Sequence, residues 1–340
     1  MPGKPRAVTQ AEIAKQASTT VPTVSKVLNG RPGVSDELRA QIEAVVQRLG
    51  YQQPARKQQS ARLIEVLCYE IDSPFGSEVV AHIEQAARQS GFGMVLTGSN
   101  ADNRPHPGWV DDVVGRQPVG VVLIACRLSE ADRKMLRSRN IRIVAIDPAG
   151  TPAPDIPSIG SADWKGGYLA TRHLIDLGHR RIGIITGPAD MMASTARQSG
   201  YTAALEAAGI PIEPSLIRPG QFHHADGLAE GLALLSRPDR PTAIFASSDL
   251  YALGVYEAAR SLGIGIPDEL SVVGYDDLRI AQWAGPPLTT VHVPLARMAQ
   301  DAVHLIQRLG EEPELSSSRT DIETTLVVRA STTVPTKVSN

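Results

Sequence analysis

VTQAEIAKQASTTVPTVSKVLN, residues 8–29, reads as two short helices joined by a tight turn. Thr9 is a good N-cap, and Glu12 three positions on completes a capping box that satisfies otherwise free backbone donors. Ile13, Ala14 and Ala17 fall on one apolar face at helical spacing. Ser18-Thr19-Thr20 breaks that run, Thr20 caps a second helix, and Pro22 sits in its first turn, where a missing N–H costs nothing. Val24, Val27 and Leu28 give the second helix its buried stripe, which leaves Val21, Pro22, Ser25, Lys26 and Asn29 for another face. Two helices this short bury too little alone, so a third is needed. Ser35-Asp36-Glu37 opens it, Leu38, Ile42, Val45, Val46 and Leu49 supply its stripe, and Gly50 ends it. Three small helices with a basic, small-polar face make a helix-turn-helix head, residues 1–51.

Working outward, the chain of 340 residues exceeds one domain of roughly 100–200 residues. Its net charge of −2 is unevenly spread. Through Arg62 there are ten Lys/Arg against four Asp/Glu, a net of +6, and the remainder is −8. A basic head on an acidic body suits phosphate contact at one end only. Residues 52–62 are polar and basic with no apolar stripe, and read as a linker expected to be disordered without DNA, with Arg56 and Lys57 following the phosphates. Cys68 and Cys126 have no CxxC or His-rich neighbourhood, so neither zinc nor a disulfide scaffold is suggested, and each reads as a small hydrophobe. The N-terminus lacks the apolar core of a signal peptide and no 18-residue apolar run occurs, so a cytoplasmic chain with no membrane partner is expected.

From Leu63 strands and helices alternate, with near-continuous Val/Ile/Leu runs separated by amphipathic helices. That pattern indicates parallel strands covered on both faces. It starts again near Gly167, and a helix and a strand return after residue 290. The expected fold class is therefore an α/β body, residues 63–340, of two doubly wound parallel-sheet lobes of periplasmic-binding-protein form, carrying the small all-α head. The first lobe spans about 63–160 and 292–320, the second about 161–291 and 321–332. Ligands of such sheets bind at the carboxyl ends of the strands, in the crevice between lobes.

TVPTVSKVLNGRPGVSDELRAQIEAVVQRLGY (20–51), DLGHRRIGIITGP (176–188), SSDLYALGVYEAARSLGIGIPDELSVVGYDD (247–277), PPLTTVHVP (286–294) and LVVRAST (326–332) resemble successive signatures of lactose-repressor-type (LacI family) transcription regulators. The resemblance covers nearly the whole chain. It implies that Val21, Pro22 and Lys26 read base edges, the first two through apolar contact and Lys26 by donating to guanine. Thr9, Thr20, Thr23, Ser25 and Asn29 are expected as phosphate or positioning contacts, although Thr23 and Ser25 equally suit local backbone bonding. In this family the linker often folds into a hinge helix whose leucine enters the minor groove. Here no leucine precedes Leu63 in that segment.

For a small-molecule effector the strand ends matter. Ser73 and Phe75 follow the first strand, Arg127 the third and Asp147 the fourth. Trp164 follows the first crossing, Arg197 begins a helix, Phe222 lies in the loop GQFHH, Ser248 and Asp249 end TAIFASS, and Asp276 ends LSVVGYDD. Planar aromatics mixed with carboxylates and an arginine suit a neutral polyhydroxylated ring. The resemblance makes Arg197 and Asp276 typical sugar contacts and Phe222 and Trp164 recurrent aromatic ones, whereas Ser248 replaces a frequent asparagine. Asp147 and Asp276 also read as caps, Phe75 and Trp164 as packing aromatics, and Trp283 as either pocket wall or interface.

The expected protein is thus a repressor, acting as a homodimer on double-stranded operator DNA and released by a sugar, with no cofactor, no metal and no enzymatic activity. Arginine outnumbers lysine, and YQQPARKQQSARLIEVLCYEIDSPF (51–75) resembles a subgroup of high-GC bacteria responding to plant saccharides, which points to xylobiose or cellobiose. A nucleobase corepressor is the alternative, since the same aromatics stack on purines. A transport receptor fails on the missing signal peptide and the added head. A glycosidase fails because Asp276 and Asp277, adjacent on a strand, point to opposite faces.

Overall fold

The computed structural model describes residues 9–28, 33–49, 62–151, 153–312, 315 and 317–335. The chain divides into two units, Met1–Ser60 and Ala61–Asn340. Asn29, Arg56 and Lys57, and the linker up to residue 61, lie outside the described residues.

In the head, α1 (Gln10–Gln16), α2 (Val21–Leu28) and α3 (Asp36–Leu49) enclose one small core. The capping box forms as its sequence requires, with Glu12 N–H donating to Thr9 Oγ1 at 3.3 Å and Thr9 N–H to the Glu12 carboxylate at 2.8 Å. Ile13, Ala14, Ala17, Val24, Val27, Ile42 and Val45 are buried against one another, and Leu28, Leu38, Val46 and Leu49 close over them. Each fully buried Val or Ile side chain contributes about 1.5–3 kcal/mol, so the larger members of this set hold three short helices together.

The body is built on two six-stranded sheets. The first comprises β1 (Leu63–Cys68), β2 (Gly93–Gly98), β3 (Gly120–Ile124), β4 (Arg142–Ile146), β5 (Ser158–Ser161) and β11 (Arg319–Ile322), in the order β11-β5-β4-β3-β1-β2. The second comprises β6 (Ile182–Thr186), β7 (Ile217–Pro219), β8 (Ala243–Ala246), β9 (Ser271–Asp276), β10 (Thr289–His292) and β12 (Thr325–Val327), in the order β12-β10-β9-β8-β6-β7. Among the described residues every pairing is parallel except β10 with β12. Strands β3, β6, β8 and β9 are buried along their whole length, as strands covered on both faces must be.

Helices α4 (Pro74–Gln89), α5 (Trp109–Arg116), α6 (Glu130–Ser138) and α12 (Leu295–Arg308) accompany the first sheet. Helices α7 (Asp163–Asp176), α8 (Met192–Ala207), α9 (His224–Leu235), α10 (Asp249–Leu262) and α11 (Arg279–Trp283) accompany the second. The chain crosses between lobes after β5, after β10 and after β11. Strands β5 (SIGS) and β11 (RTDI) go unread in the sequence because neither carries an apolar run, and helix α7 begins at Asp163, before Gly167.

Helices α7 and α8 approach closely because glycine allows it. A Cβ on Gly167 would lie 2.1 Å from the Arg197 carbonyl oxygen, and one on Gly200 would lie 2.1 Å from that of Trp164. That contact carries Arg197 toward the start of α7.

Candidate functional site

In the head, Val24 and Val27 turn inward while Val21, 42% exposed, shares an open face of α2 with Pro22 and Lys26. Thr20 and Thr23 spend their hydroxyls locally: Thr23 N–H donates to Thr20 Oγ1 at 3.4 Å, and the two hydroxyls lie 2.9 Å apart. Thr9 is committed to its cap, and Ser25 is half-buried.

In the body a cavity of about 110 Å³ opens at the carboxyl ends of the strands, with walls from both lobes. The first lobe gives Tyr69, Glu70, Ser73, Pro74, Phe75, Ala125 and Asp147. The second gives Met191, Ala193, Arg197, Phe222, Ser248, Leu250, Asp276 and Leu278. Five of these non-glycine residues adopt positive φ: Glu70 (45°), Ala125 (48°), Asp147 (43°), Phe222 (66°) and Asp276 (107°). Such backbone is costly, and its concentration around one cavity makes this cavity the candidate site.

The charged centre is Arg197. Its Nε donates to Asp163 Oδ1 at 2.8 Å and its Nη1 to the Ser247 carbonyl at 2.8 Å. The guanidinium carbon lies 3.7 Å from the centroid of the Tyr275 ring, and Nη1 stands 3.7 Å from Asp276 Oδ1. Burial disfavours the cation, but Asp163, Tyr275 and Asp276 more than offset this and raise its pKa. Burial, with the nearby Asp163 charge, pushes Asp147 up to about 7. Burial also drives Asp276 well above the usual carboxylate range, against the pull of Arg197.

Two side chains act mainly as caps while lining the cavity. Ser73 Oγ accepts from Gly76 N–H at 3.0 Å at the start of α4, and Ser248 Oγ accepts from Tyr251 N–H at 3.2 Å at the start of α10. Phe222 stacks on Tyr251 with centroids 5.5 Å apart. Across the cleft, His223 Nε2 and Glu70 Oε1 are 2.8 Å apart, and Arg279 N–H donates to Glu78 Oε1 at 2.8 Å.

Four expected residues lie outside the cavity wall. Asp249 is fully buried, accepting from Thr290 Oγ1 at 2.6 Å and from Leu278 N–H at 2.7 Å, so it braces the strand ends from behind. Trp164 is half exposed and stacks on Tyr168, as an i, i+4 pair on a helix face does. Trp283 ends α11 with 76% of its surface exposed. Arg127 lines a separate cavity of about 170 Å³, and its Nε donates to the Asp102 carbonyl at 3.2 Å. In each case a position near a strand end does not fix the direction of the side chain.

Tyr69, Glu70, Pro74, Ala125, Met191, Ala193, Leu250 and Leu278 on the wall, and Asp163 behind it, are absent from the sequence expectation. Helical spacing would have found Ala193, one turn before Arg197 on α8. Nothing local announces Asp163. Asp276 and Asp277 part company, but not by strand alternation, since β9 ends at Asp276 and both have positive φ: Asp277 turns to Arg329 at 2.5 Å and His292 at 3.0 Å. Among the described residues no cluster of three or more His, Cys, Asp or Glu could hold a metal ion, and no helix is long and apolar enough to cross a membrane.

Residues 9–53 match the family described as bacterial regulatory proteins, lacI family, and residues 171–332 match a periplasmic binding protein-like domain. The ribose operon repressor of Haemophilus influenzae is 33% identical over 327 residues, covering 95% of this chain and 98% of that protein. The HTH-type transcriptional repressor CytR of Escherichia coli is 32% identical, covering 96% of each. Among solved structures, a transcriptional regulator CelR–cellobiose complex aligns with TM-score 0.71 at 31% identity, over 95% of this chain and 99% of that one. The lac repressor dimer bound to operator and the anti-inducer ONPF aligns with TM-score 0.72 at 25% identity, over 96% and 100%.

Proposed function

The chain belongs to the lacI family of bacterial regulatory proteins, and from that premise we propose a repressor that leaves its operator when a neutral sugar fills the cleft between its lobes. The cavity carries this reading. Phe75 and Phe222 offer flat apolar surface to a ring, and the Arg197 cation with the carboxyl groups of Asp147 and Asp276 offers hydrogen-bond partners to its hydroxyls. The one arginine on the wall is already held by Asp163, and Glu70, Asp147 and Asp276 add only carboxyl groups, so the cleft offers no unmatched cation to a phosphorylated or acidic ligand.

On the DNA side, Val21, Pro22 and Lys26 read base edges, while Thr9, Thr20, Thr23 and Ser25 position the backbone. Two heads of a homodimer address a pseudo-palindromic operator in the cytoplasm, because helix-turn-helix dimers mirror two-fold sites. The cellobiose complex of the CelR regulator supports a disaccharide, cellobiose or xylobiose, as first choice; the ribose operon repressors make ribose its rival.

The test is fluorescence anisotropy of labelled DNA from upstream of the gene, at fixed salt, with cellobiose, xylobiose, ribose and purine bases added in turn. Loss of binding with one sugar is expected. Tighter binding with a purine would replace the sugar reading by a corepressor. No response to any compound, with DNA binding intact, would remove the reading of the cleft.

A further inference from the structure

Asp163 lies outside the cavity wall, is only 6% exposed, and joins both lobes through a single oxygen. Its Oδ1 accepts from Arg197 Nε at 2.8 Å, Ser161 Oγ at 3.0 Å and Tyr275 Oη at 3.2 Å. Ser161 ends β5 of the first sheet, and Asp163 opens α7 immediately after the first crossing. Arg197 and Tyr275 belong to the second lobe, where α7 and α8 are locked by the glycine contacts at Gly167 and Gly200. Arg197 is therefore held by a group that sits on the joint between the lobes.

Charge decides what this pair is for. Charge-assisted hydrogen bonds of a guanidinium to a carboxylate are strong and short, so Arg197 turns to whichever carboxylate it can reach. Asp163 takes its Nε, and Asp276 stays 3.7 Å from Nη1. Arg197 and Asp276 already form an ion pair, and the Asp163 charge opposes its closing from 3.7 Å to hydrogen-bond distance.

We propose that Asp163 is a positioning residue: it holds Arg197 beyond hydrogen-bond distance of Asp276 and aimed at the effector, and through Ser161 it ties Arg197 to the first lobe crossing, so that filling the cleft and setting the lobe angle are one event. The identity of the effector rests on the sugar reading above; the geometry does not.

Asp163 also acts on Asp147 through space. The charges facing Asp147 are Asp163 and Asp276, which raise its pKa, and Arg197 and Arg319, which lower it. Removing the Asp163 charge relieves repulsion, so Asp147 ionises at lower pH in Asp163→Asn than in the wild type.

The experiment uses the full-length wild type, Asp163→Asn and Ser161→Ala. In the first arm, without ligand, hydrogen exchange of the Arg197 Nε–H is followed by NMR after nitrogen-15 labelling of arginine, with Arg197→Lys giving the assignment. Protection in the wild type and fast exchange in Asp163→Asn are expected. In the second arm, calorimetry with cellobiose, xylobiose and ribose is run from about pH 5.5 to about 8.5, around the range in which Asp147 titrates. Sugar affinity falls about tenfold or more in Asp163→Asn, on the scale of a lost charged hydrogen bond, and the midpoint of its pH profile moves to lower pH. Operator anisotropy at saturating sugar then reads how far each protein releases DNA relative to its own sugar-free affinity. Ser161→Ala keeps the Arg197–Asp163 pair, so it binds sugar within about threefold of wild type yet releases operator less.

Unchanged Nε–H exchange in Asp163→Asn overturns the positioning role. So does sugar affinity within about twofold of wild type with an unmoved pH midpoint. Wild-type release in Ser161→Ala overturns the tie between lobes. If no sugar binds the wild type, the sugar reading falls and the exchange arm decides the positioning role alone; if Asp163→Asn does not fold, the release measured in Ser161→Ala decides the tie.

Discussion

The body buries two polar clusters that respond to pH in opposite directions. At the cleft, Arg197, Asp147, Asp163 and Asp276 bring charges together on strained backbone. Where the C-terminal segment lies against the second lobe, the groups are neutral and mutually satisfied. His179 Nδ1 pairs with Thr242 Oγ1 at 2.8 Å, and Nε2 with Ser271 Oγ at 3.0 Å and the Thr333 carbonyl at 2.9 Å. His173 Nε2 pairs with Thr332 Oγ1 at 3.0 Å. Burial lowers both histidines from 6.5, which keeps them neutral, and raises Asp147 from 3.8 to about 7. Polar burial holds a structure when every group is satisfied, and prepares a site when the groups are charged and incompletely matched.

The largest break of that comparison is Arg197→Ala. Removing the cation leaves Asp163 and Asp276 buried without it, at a cost of about 3–5 kcal/mol. Chemical denaturation should report this loss, and anisotropy the disappearance of any sugar response. Gly167→Ala comes next, at about 1–3 kcal/mol, because its Cβ meets backbone and the helices must part. Its melting temperature should fall, and sugar affinity with it as Arg197 shifts.

His179→Ala leaves Ser271 and Thr242 short of a partner, for about 1–3 kcal/mol at neutral pH. The sign of its pH dependence follows from linkage. A histidine lowered from 6.5 stabilises the fold above that value, and the contribution is lost as pH falls through its folded pKa. The stability gap between wild type and His179→Ala should therefore narrow between neutral pH and about pH 5. An aspartate raised from 3.8 to about 7 behaves in reverse: its contribution is present below 3.8 and lost as pH rises through about 7. Asp147→Asn should gain stability relative to wild type as pH rises toward 8, measured by the same melts. Equal pH trends in the two variants would erase the distinction between the clusters. The smallest effect belongs to Glu70→Gln. Its pair with His223 is partly exposed, so stability should change by no more than about 1 kcal/mol, with a larger change in sugar affinity at the cleft.

These contrasts show why some of the molecule can be read from its sequence. The head is local physics: a Thr9–Glu12 capping box and apolar residues at helical spacing specify α1 to α3 within forty residues of chain. At the cleft, Asp147, Arg197, Phe222 and Asp276 were legible because ligand sites of parallel sheets lie at strand ends. Asp249 sits at the same kind of end, yet its carboxylate turns inward to Thr290 and Leu278, partners 41 and 29 residues away. Asp163 is defined by contacts 34 and 112 residues distant, with no local pattern to reveal it. Glu70 and Ala125 adopt a backbone that their residue types rarely choose, imposed by the surrounding fold.

The three crossings also fix an order of assembly during synthesis. Helix α12 and edge strand β11 complete the first lobe, and β12 completes the second, so both lobes wait for the residues that follow Val293. Once β10 is made the nascent protein carries two unfinished sheets at the same time, and a chain stopped before Leu295 would expose hydrophobic surface in both lobes at once.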